Sequence, residues 1–248
     1  LRIAFDLDGV LADLHGPFVR EALRLFPQLD AATLGALDVG ASPDIPDARG
    51  GPAAIVPQRP LVLTPDQSRE VWRSLTATTN FWETLGECEA GTIARIALLA
   101  DVRRWEILFI TSRPASAGRT VQTQSQRWLR RHGFDLPSVC LVHGSRGQVA
   151  AALHLDIVVD DRPENCLDIV LESRAGAVLL WRGGPDAVPA SARRLGIASV
   201  SSMAACLDAI TEAEDAGPLS GLRDRLRRLL GLQPRQSSGL LRGRKTGS

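Results

Sequence analysis

The sequence predicts a layered α/β fold, with a parallel sheet covered by helices on both faces and a small, mostly helical segment inserted near the start. Three observations carry this. Short apolar runs recur without alternating in polarity, as strands buried on both faces do. Longer amphipathic stretches separate them, so strand and helix take turns and right-handed crossovers join parallel strands. One stretch, residues 30–65, breaks the rhythm with Ala, Gly, Pro and Asp.

The expected strands are Arg2–Leu7, Glu106–Thr111, Ser138–Val142, Asp156–Val159 and Ala177–Trp181, with a weaker one at Ile197–Val200. Helical patterns fall near Pro17–Phe26 and at Glu89–Arg104, Arg119–His132, Gln148–Leu153, Pro163–Ser173 and Ser202–Ala213. Another covers Pro65–Ser74, with Thr64 placed to cap it and Pro65 in its first turn. The expected organisation is a core of residues 1–27 and 86–214, a helical insert at 28–85, and a basic tail at 215–248, partly helical and then disordered.

Composition narrows the function classes. A chain of 248 residues with 44% hydrophobic and 23% charged residues suits one globular domain with an insertion. No apolar run approaches the roughly 18–20 residues that span a membrane. The four cysteines are scattered without a C-x-x-C pair, which favours reduced thiols in a cytoplasmic protein over a disulfide scaffold or zinc site. No secretory leader is read at the N-terminus, where the first strand begins at once.

The net charge of +1 hides an asymmetry, because residues 218–248 hold eight basic residues and one acid. Leu219, Leu222, Leu226, Leu229 and Leu230 share one helical face there. Such a helix can dock on an acidic partner, anionic lipid or nucleic acid, or pack on its own domain ahead of a disordered end; the second reading is preferred.

The chemistry concentrates at three strand ends. The first strand runs into Asp6-Leu7-Asp8-Gly9, and strand alternation sends Asp6 and Asp8 to one side beyond the strand's C-terminal end, where open α/β sheets bind ligands. The second block, Ile107–Pro114, ends in the hydroxyls of Thr111 and Ser112, the makings of a phosphate cradle. The third, Asp156–Asn165, ends its strand in Asp160 and Asp161. Carboxylates and hydroxyls gathered at one sheet edge call for a hard, oxygen-ligated cation, with Mg²⁺ the first choice.

These blocks, D-L-D-G-V-L-A-D, T-S-R-P and D-D-R-P-E-N in that order, resemble the haloacid dehalogenase (HAD) superfamily of phosphohydrolases over roughly residues 2–182. Within it they look most like the 5′-nucleotidases related to the deoxyribonucleotidases, which carry a small helical cap after the first motif. The resemblance implies a Rossmann-like α/β/α core. It makes Asp6 the nucleophile that forms an aspartyl-phosphate and Asp8 the general acid/base. Thr111 becomes a phosphate ligand, and Asp160 and Asp161 the acidic metal motif, with Asp6 and the backbone carbonyl of Asp8 completing the Mg²⁺ site. The family's lysine is missing: the only lysine is Lys245 in the tail, and Arg146 stands in the corresponding segment. Arginine keeps the charge but presents a larger planar fork.

The expected activity is therefore a Mg²⁺-dependent phosphomonoesterase acting on a small phosphorylated metabolite, foremost a nucleoside 5′-monophosphate. Trp72, Phe81 and Trp82 are the candidates for stacking on a base, against the alternative that they form the insert's own core. His15 can line the approach to the site. Arg113 can meet a substrate phosphate or pair with an acid. The competing functions are a phosphatase or phosphomutase for a sugar phosphate, and a catalytically weak phosphate-binding protein.

Overall fold

A computed structural model describes residues 1–30, 63–217 and 221–230. Six strands form one parallel sheet: β1 (Arg2–Asp6), β4 (Glu106–Thr111), β5 (Ser138–Leu141), β6 (Ile157–Asp160), β7 (Gly176–Leu180) and β8 (Ala198–Val200). Their order across the sheet is β5-β4-β1-β6-β7-β8. From β1 the chain winds outward through β4 and β5, then returns to the far side of β1 and winds outward through β6, β7 and β8. The order reverses at β1 and β6, and such a switch point opens a crevice beyond the strands' C-terminal ends.

The alternation of side chains along each strand divides the core between two faces. Ile3, Phe5, Phe109, Val159, Val178 and Leu180 face one cluster, and Ala4, Ile110, Val158 and Leu179 face the other. The first face is covered by α3 (Thr92–Arg103), α4 (Val121–Arg131) and α8 (Met203–Asp215) through Ile96, Trp128 and Ile210. The second is covered by α5 (Arg146–Ala152), α6 (Pro163–Glu172) and α7 (Ala190–Arg194) through Ala150, Ile169 and Ala192. The result is the three-layer α/β/α arrangement that the sequence predicts.

Two short strands were not legible in the sequence. β2 (Ala12–Asp13) pairs antiparallel with β3 (Gly86–Glu87), and the Cys88 amide donates to the Leu11 carbonyl at 2.8 Å. This pair brackets residues 14–85. The segment between them includes α1 (His15–Leu25), which the sequence reading placed in the core, and α2 (Pro65–Ala77). The Thr64 hydroxyl accepts from the Gln67 amide while the Gln67 side chain accepts from the Thr64 amide, a reciprocal cap with Pro65 in the first turn. Most of the loop-rich stretch, residues 31–62, lies outside the described residues.

Helix α2 packs on α1 through Trp72 against Phe18, ring centroids 5.6 Å apart. Both helices share the main hydrophobic cluster with the sheet. At the other end of the chain, α9 (Leu222–Leu229) packs on α8 with Leu222 and Leu226 buried. Arg225 donates from Nε to the Ala213 carbonyl at 2.6 Å and from Nη2 to the Gly217 carbonyl at 2.9 Å, satisfying the end of α8. Helix α9 thus packs on α8, in line with the preferred reading of the tail's helix: Leu222 and Leu226 are buried, Leu229 is exposed, and Arg225 finishes the preceding helix. Leu219 and residues 231–248 lie outside the described residues. No described helix is long and apolar enough to cross a membrane.

Candidate active site

β1 and β6 deliver Asp6 and Asp160 to the crevice at the switch point. Phe5 pairs with Val159, so the two aspartates that follow end adjacent strands at one level. Both are buried, as is Arg146 beside them. Arg146 opens α5, but the cap of that helix is Ser145, whose hydroxyl accepts from the Gly147 and Gln148 amides. The arginine is thus free to reach inward: Nη2 donates to Asp6 Oδ1 at 2.9 Å, and Nε lies 3.9 Å from Asp160 Oδ2.

The electrostatics of Asp6 show how crowded this edge is. Burial pushes its carboxyl well above the usual carboxylate range, and the charge of Asp160 pushes the same way. Arg146 opposes both, while Asp161 and Asp8 add further repulsion. Asp160 is also raised by burial, against the pull of Arg146 and of its hydrogen bonds. It accepts from the Arg162 amide at 2.8 Å and from Asn165 Nδ2 at 3.1 and 3.0 Å. Asp161 lies against the first loop, close enough to Gly9 to leave no space for a β-carbon there.

Asp8 takes a different direction from the one strand alternation predicts. β1 ends at Asp6, and residues 7–12 turn tightly, with the Leu11 and Ala12 amides both donating to the Leu7 carbonyl. Period two no longer applies once the backbone leaves the extended region. The Asp8 carboxylate therefore meets the β4 side of the crevice. Thr111 Oγ1 donates to Asp8 Oδ2 at 3.3 Å. Arg113 Nε donates to Oδ2 at 2.8 Å and Nη2 to Oδ1 at 2.8 Å, so the guanidinium grips both oxygens. Thr111 is buried and Ser112 is half-buried at the same strand end.

The structure thus gathers Asp6, Asp8, Thr111, Ser112, Arg146, Asp160 and Asp161 at one edge. It does not bring Trp72, Phe81 and Trp82 there as open rings. They are 4%, 3% and 0% exposed and lie within the main core cluster. Phe81 packs edge-on to Trp82 at 4.9 Å, and Trp72 is tilted against Trp82 at 6.3 Å. The expectation that these rings stack on a base is corrected, because their faces are covered by one another and by Arg113.

Three further residues shape the site. Arg113 was left between two roles by the sequence, and its partner is Asp8. Asn165 stands in the quoted D-D-R-P-E-N block, in the first turn of α6, where its amide can fold back on Asp160. Arg182 carries no sequence signal. Its guanidinium donates to the Gly9 carbonyl from Nη1 and to Glu89 Oε1 from Nη2 at 3.0 Å. Glu89 in turn accepts from the Met203 amide at the start of α8. Cys88, which senses the charges of Arg182, Asp13, Asp161 and Asp8, has its thiol pushed up to about 12 by burial and so stays protonated near neutrality.

The donors offered at this edge are all oxygens, which suits a hard cation rather than a soft one. The negative field at Asp6, only partly offset by Arg146, is of the sign that such a cation relieves. Among the described residues no three acidic, histidine or cysteine side chains already close into a ligand cluster.

No family model and no curated protein matches the chain. Solved structures do. A hydrolase from Pseudomonas syringae aligns over 84% of this chain and 98% of its own, at 16% identity and a TM-score of 0.49. A HAD family hydrolase from Deinococcus radiodurans R1, with bound phosphate and sodium, aligns over 85% of this chain and 95% of its own, at 17% identity and a TM-score of 0.52. At this identity the likeness speaks to architecture. The chain has an α/β Rossmann-like fold, the fold it shares with the HAD family hydrolase from Deinococcus radiodurans.

Proposed function

We propose that the protein is a phosphomonoesterase that works through an aspartyl-phosphate on Asp6. The observation that carries this reading is the pairing of a buried carboxylate, Asp6, with a buried cation, Arg146, beside a second acid, Asp8, at the sheet's switch point. The phosphate bound to the Deinococcus radiodurans hydrolase, which has the same fold, supports it.

In the first step an Asp6 carboxylate oxygen attacks phosphorus. The new Asp6–O–P bond forms as the ester P–O bond breaks, and Asp8 gives its proton to the departing oxygen. In the second step water attacks phosphorus, Asp8 takes the water's proton, and the Asp6–O–P bond breaks to release phosphate. Thr111 and Ser112 donate to the phosphoryl oxygens. Arg146, now paired with Asp6, turns to the charge that develops on the phosphoryl group. Asp6, Asp160 and Asp161, with the backbone carbonyl of Asp8, are the groups that would hold Mg²⁺, which would supply charge neutralisation between nucleophile and phosphate.

The substrate class is a small phosphorylated metabolite, with a nucleoside 5′-monophosphate the choice to which the motif resemblance points, and the compartment is the cytoplasm. A phosphate-release screen over nucleotides, sugar phosphates and aryl phosphates, with and without Mg²⁺, tests the reading. Mg²⁺-dependent release from at least one ester is expected, and silence across the panel overturns it. The Arg146–Asp6 contact also favours a second reading, a phosphate-binding protein with a quenched nucleophile. Tight phosphate binding without turnover would select that one.

A further inference from the structure

Arg113 is a buried cation, and each of its three nitrogens donates inside the protein. Its side chain has 0% exposure. Nε and Nη2 hold both oxygens of Asp8, and Nη1 donates to Ser125 Oγ at 2.9 Å. The guanidinium carbon lies 4.7 Å from the Trp82 ring centroid and 5.8 Å from that of Trp128. Neither ring can drift. Trp82 donates from Nε1 to the Pro114 carbonyl at 3.1 Å, and its amide donates to Gln124 Oε1 at 3.1 Å. Trp128 donates from Nε1 to the Leu85 carbonyl at 2.7 Å. An arginine buried and fixed in this way is turned to Asp8 and not to a substrate phosphate. A buried ion pair is also a poor device for stability alone, since its desolvation cost offsets its attraction.

We propose that Arg113 is the positioning residue of the acid/base carboxylate Asp8, and that Trp82 and Trp128 set its place, so that residues 81–85 reach the chemistry through one guanidinium. This rests on the phosphomonoesterase reading. Asp8 must present one oxygen to the leaving group of the ester, and a side chain in a tight loop holds such a geometry only if its other contacts are fixed. The two-nitrogen grip of Arg113 leaves Asp8 a defined direction. Trp82 serves the site from behind, as the floor under the guanidinium, and not as a platform for a base.

The test compares two esters in each protein preparation: p-nitrophenyl phosphate, whose leaving group departs without a proton, and β-glycerophosphate, whose alkoxide needs one. The quantity compared is the ratio of the two kcat/KM values, which reports the leaving-group step and not the shared hydrolysis of the aspartyl-phosphate, and which is independent of the folded fraction. In Arg113→Ala the alkyl-to-aryl ratio is expected to fall by about a hundredfold, the scale of general acid catalysis. Added guanidinium ion should restore part of the alkyl turnover. Arg113→Lys, which keeps the charge but offers one nitrogen, should show a smaller fall, and it decides the matter if the alanine variant does not fold. Trp82→Phe should shift the ratio in the same direction by a few fold. Equal losses on both esters, or an unchanged ratio, overturn the assignment of Arg113. A wild-type protein silent on both esters overturns the phosphomonoesterase reading instead.

Discussion

Gly9 and Asp161 touch so closely that a β-carbon on Gly9 would lie 2.0 Å from Asp161 Oδ2. The backbone of Gly9 has φ +83°, a region costly for any other L-residue. Two loops that follow adjacent strands, β1 and β6, are packed together at this point, which brings the carboxylates of one block to those of the other.

Gly9→Ala is therefore expected to damage the site by two routes. The left-handed backbone costs about 1–2 kcal/mol, and the new methyl must displace the Asp161 carboxylate. Calorimetry should show a modest fall in Tm, and phosphate release should fall at least tenfold. A variant of near wild-type activity would mean that Asp161 can move without consequence.

Asp6→Asn should abolish phosphate release, by on the order of 10³-fold or more, as removal of a nucleophile does elsewhere. The fold should survive. Burial and three neighbouring carboxylates already disfavour a charge at this position, so a neutral amide is expected to leave Tm of the metal-free protein unchanged or raise it. Retained turnover would rule out the covalent route.

Arg146 allows a graded experiment. Arg146→Lys keeps a cation within reach of Asp6 and should stay within about tenfold of wild type, since the charge is what the phosphoryl group needs. Arg146→Ala removes the only side chain among the described residues seen to donate to Asp6 and should lose at least about a hundredfold. Steady-state kinetics on the three proteins separates them, and equal rates would take Arg146 out of the mechanism.

The aromatic residues of the insert should behave as core. Phe81→Ala or Trp72→Ala is expected to cost about 3–5 kcal/mol, the scale for emptying a packed aromatic site. Chemical denaturation measures this directly. Activity per folded molecule should fall alike for nucleotides and aryl phosphates. A loss confined to nucleotides would return these rings to the substrate.

Truncation after Ala216 removes α9 and exposes the face of α8 that Leu222 and Leu226 cover. Two buried leucines, less the entropy of ordering the helix, correspond to about 2–4 kcal/mol. A lower Tm is expected, whereas an unchanged melting curve would show the helix to be dispensable.

The sequence by itself determined the six parallel strands, because continuous apolar runs such as Ile107–Ile110 have no stable place except between two helical layers. It also determined which side chains stand at the strand ends, since Asp6, Thr111 and Asp160 follow directly from where those runs stop. Side-chain direction beyond the strands was decided by tertiary structure. Asp8 left the alternation because the chain turns at residue 7, and its partner Arg113 lies 105 residues away. The rings of Trp72, Phe81 and Trp82 read as platform or core, with the core somewhat favoured, and only the packing of α2 and residues 81–83 against the sheet's helices closed them off. The β2–β3 pair is too short to leave a pattern, and the α9 leucines carry the same period whether they face a partner or α8. Periodicity is a local property of the chain. What fills a face is decided by contacts between segments far apart in sequence, and those are settled only when the chain folds.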